Sequence, residues 1–553
     1  MKNILTNSNR VISFLFPAGR KIFYSFIFGF CVVGIHAQNC NPATAFDYLD
    51  INNVKARINN GGDMWWNLVN KAEYIVPQSG IVSSLFAGSL WIGGLDEQGD
   101  LHIAAQTYRQ NGNDFFPGPL DASGNVTSQV CNEFDRIWKV NKSTIDSFTA
   151  GLFAATPSSI QQWPGRNNPD LSFLPDQELA PFIDMNGDNT YNPSDGDYPA
   201  VPGDQALWFV FNDNGNVHGE TGGAPLGIEI QCLAYVFRDT AACTYSTTLY
   251  HYRIINKSVR NYTNVYVGLW SDPDLGCYTD DYAGTDSSGN LGIAYNGQAV
   301  DANSCIDNYG NMPPVLALQL LQGPTDLDGT VHYLDNSMYY LNDFSALGNP
   351  ETADDYYGYL KSVWKDGSHL TTGGNGYGGA QPIDYFYTGD PSDPYGWSMC
   401  ASNAAFVDAR IIISSGPVSI NSGEKKTFDF AAVWDNTSVY PCPSYSTIAD
   451  VATCVKESFN SDVVFTCNEI ASFTGNHLNV FPNPAPSSSI INFSGINILQ
   501  AEIFDLTGRK VFNSAFPQAE DLKFNSTQIG KGLFIYRVTF IDHSSQSGKL
   551  VIQ

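Results

Sequence analysis

Apolar runs of five to twelve residues alternate along most of the chain with polar stretches rich in Gly, Asn, Asp and Ser. "SLFAGSLWIGGLDEQGDLHIAAQTY" (84–108) reads as two strands about the polar turn "LDEQGD". "ALWFVFND" (206–213) is a further strand. "IEIQCLAYVFRD" and "TYSTTLYHYRIIN" form a hairpin, and "NVYVGLW" (264–270) adds another strand. "ARIIISSGPVSINSGEKKTFDFAAVWD" (409–435) gives two strands about "NSGE". One helix stands out, "STIADVATCVKESF" (446–459). Ile448, Val451, Val455 and Phe459 fall on one face, and Ser446 caps its start. The pattern predicts a mainly β protein: an antiparallel β-sandwich body over residues 38–474, with long loops and one helix near 446–459. Between 356 and 397 periodicity fades into Gly, Pro, Asp and Tyr, which reads as an ordered, irregular connector rather than a binding surface.

The two ends differ from this body. Lys2, Arg10, Arg20 and Lys21 precede the apolar run "IFYSFIFGFCVVGI" and then "HAQ". That order is a secretory signal peptide over residues 1–37, cleaved after Ala37. The run is too short for a comfortable membrane span, and no later stretch is long and apolar enough for one. Export gives the cysteines meaning. Of eleven, Cys31 leaves with the leader, and the remaining even number suggests disulfides. Local spacing suggests Cys232 with Cys243 across a hairpin, and Cys442 with Cys454.

Charge narrows the partners. The formal net charge is -27, with 43 Asp against 12 Glu. Asp favours turns and cation-binding loops, whereas Glu favours helices. Such a surface excludes nucleic acid and anionic lipid as electrostatic partners, because phosphate contacts need Lys and Arg.

The last stretch, 475–553, begins again with a short strand into "FPNP" and the turn "APSSS". Alternating apolar residues in "ILQAEIFDLTGRKVFNSAF", "KGLFIYRVTF" and "GKLVIQ" predict a small Ig-like β-sandwich, with a turn at "LTGR". "VFPNPA", "AEIFDLTGRKV", "IGKGLFIYRV" and the terminal "GKLVI" occur in that order. Together they resemble the type A C-terminal sorting domain of the type IX secretion system. Pro482, Asn483, Pro484, Gly508, Arg509 and Gly532 are the matching positions. The resemblance implies an address rather than a catalyst. The partners it implies are the type IX secretion machinery and a surface peptidase that removes the domain, leaving the cargo secreted or on the outer cell surface. The body resembles exported cargo of the same bacteria through "SSGPVSINSGEKKTFDFAAVW", which implies no chemistry.

Two acidic stretches carry candidate chemistry. "DMNGDNTYNPSD" places Asp184, Asn186, Asp188, Thr190, Asn192 and Asp195 at loop positions 1, 3, 5, 7, 9 and 12. Hard oxygen ligands at this spacing suit Ca²⁺. The stretch resembles the calcium loops of dockerins and EF-hands, but with Asn189 where Gly is usual and no flanking helices. A Ca²⁺ here would stiffen a long loop. "DPDLGCYTDDYAGTD" crowds Asp272, Asp274, Asp280, Asp281 and Asp286 after an aromatic strand. Crowded carboxylates share a cation or hold raised pKa values, which would also suit a glycosidase pair. The chain has no HExxH, no GxSxG elbow and no phosphate loop. His218 and His251 read as a loop and a strand residue, and the Trp65–Trp66 pair as core. With no catalytic constellation, the body reads as a calcium-stabilised binding or adhesive module for a glycan or protein ligand. The alternative is an extracellular polysaccharide-acting hydrolase.

Overall fold

The structure, a computed structural model, describes residues 40–301, 304–406, 408–461, 479–481, 483–505, 507–540 and 545–553. The leader expected at 1–37, Cys467 and Pro482 lie outside the described residues.

Residues 40–461 are built on strands β1 (Ala87–Leu95), β2 (Gln205–Asn212), β3 (Ile228–Val236), β4 (Thr247–Asn256), β5 (Tyr262–Asp272), β6 (Asp281–Asp286), β7 (Leu291–Asn296), β8 (Val315–Gln322), β9 (Asn336–Leu341), β10 (Ala409–Ile420) and β11 (Lys425–Asp435). One sheet runs β1–β5–β10–β9 and continues past β1 through Asp63–Met64, Lys55–Asn59 and Phe46–Leu49. The other runs β6–β7–β8–β11–β4–β3–β2. Both are antiparallel throughout these pairs. The hairpin expected at 228–256 is β3–β4, with Cys232 opposite Tyr252.

The sheets pack face to face as a sandwich. Trp65 Nε1 of the first donates to the Tyr250 hydroxyl of the second at 2.8 Å, and Thr285 Oγ1 meets Ser337 Oγ at 2.8 Å. A Cβ on Gly292 of β7 would stand 2.6 Å from Ile413 of β10, so only glycine lets the layers approach there.

Both sheets are covered on the outer side as well: every residue of β2 and β3 is buried, with the Gln231 side chain of β3 donating outward to the Glu178 carbonyl. Helix Ala353–Tyr359 covers the first sheet, laying Tyr356 against Trp91 at 4.8 Å and Tyr359 against Tyr340 at 5.2 Å. Helix Ser446–Ser461 covers β8 and β11, where Gln319 donates to the Ala452 carbonyl. Each large apolar side chain so buried stabilises by roughly 1.5–3 kcal/mol. The connector between 356 and 397 is ordered. It contributes Leu360, Trp364, Leu370 and Phe386 to the core.

β10 and β11 are consecutive but not paired. The turn Asn421–Glu424 carries the chain from the middle of one sheet to the middle of the other. Gly423 supplies the left-handed residue there, at φ 78°.

The cysteine pairing differs from the local expectation. The bridges are Cys40–Cys131, Cys243–Cys454, Cys277–Cys305 and Cys400–Cys442. Cys232 is a buried free thiol. It sits mid-strand in β3, whereas Cys243 lies beyond the end of that strand, in the turn before β4. That turn meets helix Ser446–Ser461, which carries Cys454. Helix packing thus decides the pair.

Residues 479–553 form their own antiparallel array from β12 (Asn479–Phe481), β13 (Ile490–Asp505), β14 (Lys510–Asn525), β15 (Gly532–Phe540) and β16 (Ser545–Ile552). β13 pairs with β12, β14 and β15. Register shifts between Ser494 and Ile498 bend it. The bend brings Phe493 onto Phe524 at 5.8 Å and Tyr536 at 5.4 Å in a separate core. Gly508 turns β13 into β14 at φ 81°, donating to the Asp505 carbonyl. The Asp505 carboxylate pairs with Arg509 at 3.0 Å. Asn483 behaves as a strand residue through its side chain, donating to Lys549 O and accepting from Val551 N of β16. Pro484 follows it, and Gly532 opens β15.

Candidate functional site

Four strand ends of the first sheet meet at one place. β5 ends at Asp272 opposite Ala87, the first residue of β1. β9 ends at Leu341 opposite Ala409, the first residue of β10, with Tyr340 opposite Arg410. Loops from across the chain close round these ends and leave a cleft of about 910 Å³. Trp66, Phe86, Tyr108, Tyr278 and Phe344 line it, with Glu220, Asp272, Asp274, Glu351, Asp408 and Arg410 among them. Phe344 is 82% exposed and Tyr278 47%, so both rings face solvent at the cleft.

The floor is a charge network. Tyr108 donates to Asp272 Oδ2 at 2.6 Å, and Arg410 Nε donates to the Tyr108 hydroxyl at 2.9 Å. Arg410 also pairs with Asp272 at 3.3 Å and Asp408 at 2.8 Å. Burial pushes the Asp272 carboxyl up to about 6 even though Arg410 pulls it down. Asp274 is raised too, first by burial and then by the charges of Asp272 and Asp408. Oxygens of Asp272, Asp274 and Asp408 lie within 4.8 Å of one another.

Glu220 borders the same cleft from the loop between β2 and β3. Thr107 and Tyr356 (3.1 Å) donate to its Oε1, while Oε2 is buried and has no hydrogen-bond partner among the described residues. Burial, and then the neighbouring Asp114, pushes its carboxyl up to about 7. A carboxyl poised there can give or take a proton near neutral pH.

Of the five acidic residues singled out after β5, the fold brings Asp272 and Asp274 into the cleft. Asp281 lies beside it, accepting from Leu275 N, and shares a cavity of about 10 Å³ with Asp408. Asp280 groups with Asp301 and Cys277, and Asp286 ends β6 in a surface turn where it accepts from Ser288. Glu220, Asp408, Arg410 and Tyr108 were not singled out by sequence. Asp408 and Arg410 did leave a signal: two charges at a spacing of two, opening an apolar strand.

The loop from Asp184 to Asp195 is anchored by the buried Tyr191, which donates to Ile160 O. Asp184 accepts from Gly187 N and Asn189 N, and Asp188 from Thr190 N. Asn186 accepts from Asp188 N, and Asn192 donates to Asp195 Oδ2. Asn189 takes the left-handed turn at φ 61°. Buried Asp197, outside the motif, accepts from Met185 N and Asn192 N. Its carboxyl is raised by burial, with the charges of Asp184 and Asp188 adding to the rise.

His218 and His251 are held by structural partners. His218 is buried between the Ile103 and Asp213 carbonyls, and His251 pairs with Asp429 at 2.6 Å on adjacent strands. Trp65 and Trp66 are both buried.

Residues 479–553 match the family model of the secretion system C-terminal sorting domain. The tail is a type IX sorting domain. It sends this protein out of the cell, to the surface or beyond, and makes the type IX machinery its partner. Among the described residues no helix is long and apolar enough to cross a membrane. No curated protein matches the chain. Among solved structures, a polysaccharide lyase is similar over 59% of this chain and 34% of its own, about a third of its length, at 7% identity and a TM-score of 0.18. A likeness that slight carries no argument about chemistry.

Proposed function

We propose that the exported body binds a glycan in the cleft at the end of the first sheet. The observation that carries this reading is the cleft itself: solvent-facing aromatic rings over buried, hydrogen-bonding carboxylates and a guanidinium. Flat ring faces take the apolar faces of sugars, and the polar floor takes hydroxyls. The test is binding of the secreted protein to soluble starch, xylan, laminarin, pectin and alginate. Phe344→Ala removes an exposed ring without opening the core, so the fold is retained. Its Kd for the bound polymer should rise about tenfold, roughly 1.4 kcal/mol. Equal affinity in wild type and variant, or no polymer bound at all, would refute the assignment.

One observation favours a second reading, hydrolysis. Glu220 holds its proton to about pH 7 with one oxygen unpartnered among the described residues, as a general acid requires. Release of reducing ends from the bound polymer would support it. Binding without turnover would leave the glycan-binding module.

We further propose that the loop from Asp184 to Asp195 holds a structural Ca²⁺, and that a surface peptidase removes the sorting domain after export. The spacing of the oxygen-bearing side chains along the loop, with buried Asp197 near enough to feel the charges of Asp184 and Asp188, supports the first, and the family resemblance the second. At a hundredfold excess of Ca²⁺ over its Kd, stability should gain about 2.7 kcal/mol. Asp184→Asn with Asp188→Asn should lose the share of that gain owed to this loop, read by denaturant titration with and without chelator. An identical Ca²⁺ response in the double variant would count against the loop.

A further inference from the structure

Three carboxylates, Asp272, Asp274 and Asp408, bring their oxygens within 4.8 Å of one another at the floor of the cleft. Arg410 is the one basic side chain among the lining residues, and it engages Asp272 and Asp408. Asp272 is buried and Asp274 and Asp408 are half-buried, and like charges so placed that exceed their counter-charge bind a further cation or give up charge. The spacing suits an ion: ligand oxygens 2.3–2.6 Å from a Ca²⁺ lie no more than about 5 Å from each other.

A second observation lies behind the cluster. Asp281 is 7% exposed, and its Oδ1 has no hydrogen-bond partner among the described residues. Asp281 lines the cavity of about 10 Å³ together with Asp408, Pro273 and Ala409. That volume is about the space of one water molecule. An unpartnered buried oxygen, a one-molecule void and three converging carboxylates together describe an outer and an inner shell around a cation.

We infer that the cleft floor is a divalent-cation site in which Asp272, Asp274 and Asp408 are the ligands and Asp281 orients a bridging water from behind. Oxygen-only donors select Ca²⁺ over zinc or copper. An ion there would have positions open to the cleft, suited to vicinal hydroxyls or a carboxylate of a saccharide. That last consequence rests on the glycan reading, and the site itself does not.

The probe is Ca²⁺ alone, titrated calorimetrically into the full chain carrying Asp184→Asn and Asp188→Asn, so the Asp184–Asp195 loop contributes nothing. The expected result is one ion bound per chain, with a Ca²⁺-dependent rise in melting temperature. Asp274→Asn added to this background is the decisive variant. Asn keeps the shape of the Asp274 side chain and removes only its charge, so the substitution tests ligation rather than packing. Its Kd for Ca²⁺ should rise at least tenfold and the melting shift should vanish. Absence of an ion in the background protein, or unchanged affinity in Asp274→Asn, would overturn the site. Polymer binding in chelator separates the two proposals. A protein that binds Ca²⁺ but no glycan keeps the site and loses the glycan reading, and one that binds glycan but no Ca²⁺ does the reverse.

Discussion

Replacing Glu220 by Gln will make the protein more stable above neutral pH and, if the cleft hydrolyses its ligand, inert. In the fold the Glu220 carboxyl is pushed from 4.5 up to about 7, burial being the main cause. The sign follows from proton counting. Between those two values the unfolded chain has lost this proton and the folded one keeps it, so raising pH favours unfolding. One pKa unit is worth about 1.36 kcal/mol, so wild type should lose roughly 3 kcal/mol from this group across that window. Gln is nearly isosteric, does not ionise and escapes the loss. Denaturant titrations at pH 4 and pH 8 should therefore find the variant close to wild type in acid and roughly 3 kcal/mol ahead of it in base. Parallel curves would mean that water reaches this carboxylate and its proton is ordinary. Turnover is the second readout. A general acid contributes a factor of about 10²–10⁴, and wild-type rates should fall as pH rises through about 7. A residue that costs stability where it sits is best explained by what it does there.

Arg410→Met, compared with wild type in chelator, should cost about 3 kcal/mol, because it leaves the buried Asp272 carboxylate without its counter-ion while half-buried Asp408 keeps some water. Arg410 holds Asp272 at 3.3 Å and Asp408 at 2.8 Å, and Asp272 is 3% exposed. Methionine fills much of the same volume, so the loss is of charge rather than of packing. The cost depends on pH. As pH falls through about 6 the Asp272 carboxyl takes up a proton and no longer needs the guanidinium. The variant should thus approach wild type in acid and diverge from it in base. Adding Asp272→Asn should recover much of the loss, a coupling that a double-mutant cycle measures directly. A small difference, constant from pH 5 to 8, would mean that the pair is solvated and the cleft floor wet.

The strands of the two sheets were readable wherever an apolar run was bounded by Gly, Asn or Asp, as at 84–108 and 228–256. The sorting domain was more readable still, because its turn at Gly508 and its Asn483 clamp each rest on a particular residue type. What the runs hid was orientation. β2 and β3 are buried on both faces, so no alternation marks which side chains look inward. The site was half visible. Asp272 and Asp274 belonged to an evident acidic stretch. Tyr108, Glu220 and Arg410 come from segments more than a hundred residues apart and meet where the ends of β5, β9 and the start of β10 lie at one level. Cysteine pairing failed for the same reason. The Cys243–Cys454 bridge spans 211 residues, and no local spacing announces a contact of that range.

The unpaired neighbours β10 and β11 impose an order of events. Each is an internal strand, β10 between β5 and β9 and β11 between β8 and β4, and both lie in residues 409–435. Until that segment arrives, β6–β7–β8 and β4–β3–β2 are two sheets with open edges, and β9 has nothing to pair with. A chain synthesised N-terminus first therefore has these edges unpaired until most of its length has emerged. Two adjacent strands then close both layers in one stroke, a short distance ahead of the domain that addresses the protein outward. Completion of the cargo and appearance of its export tag are thereby set close together in time.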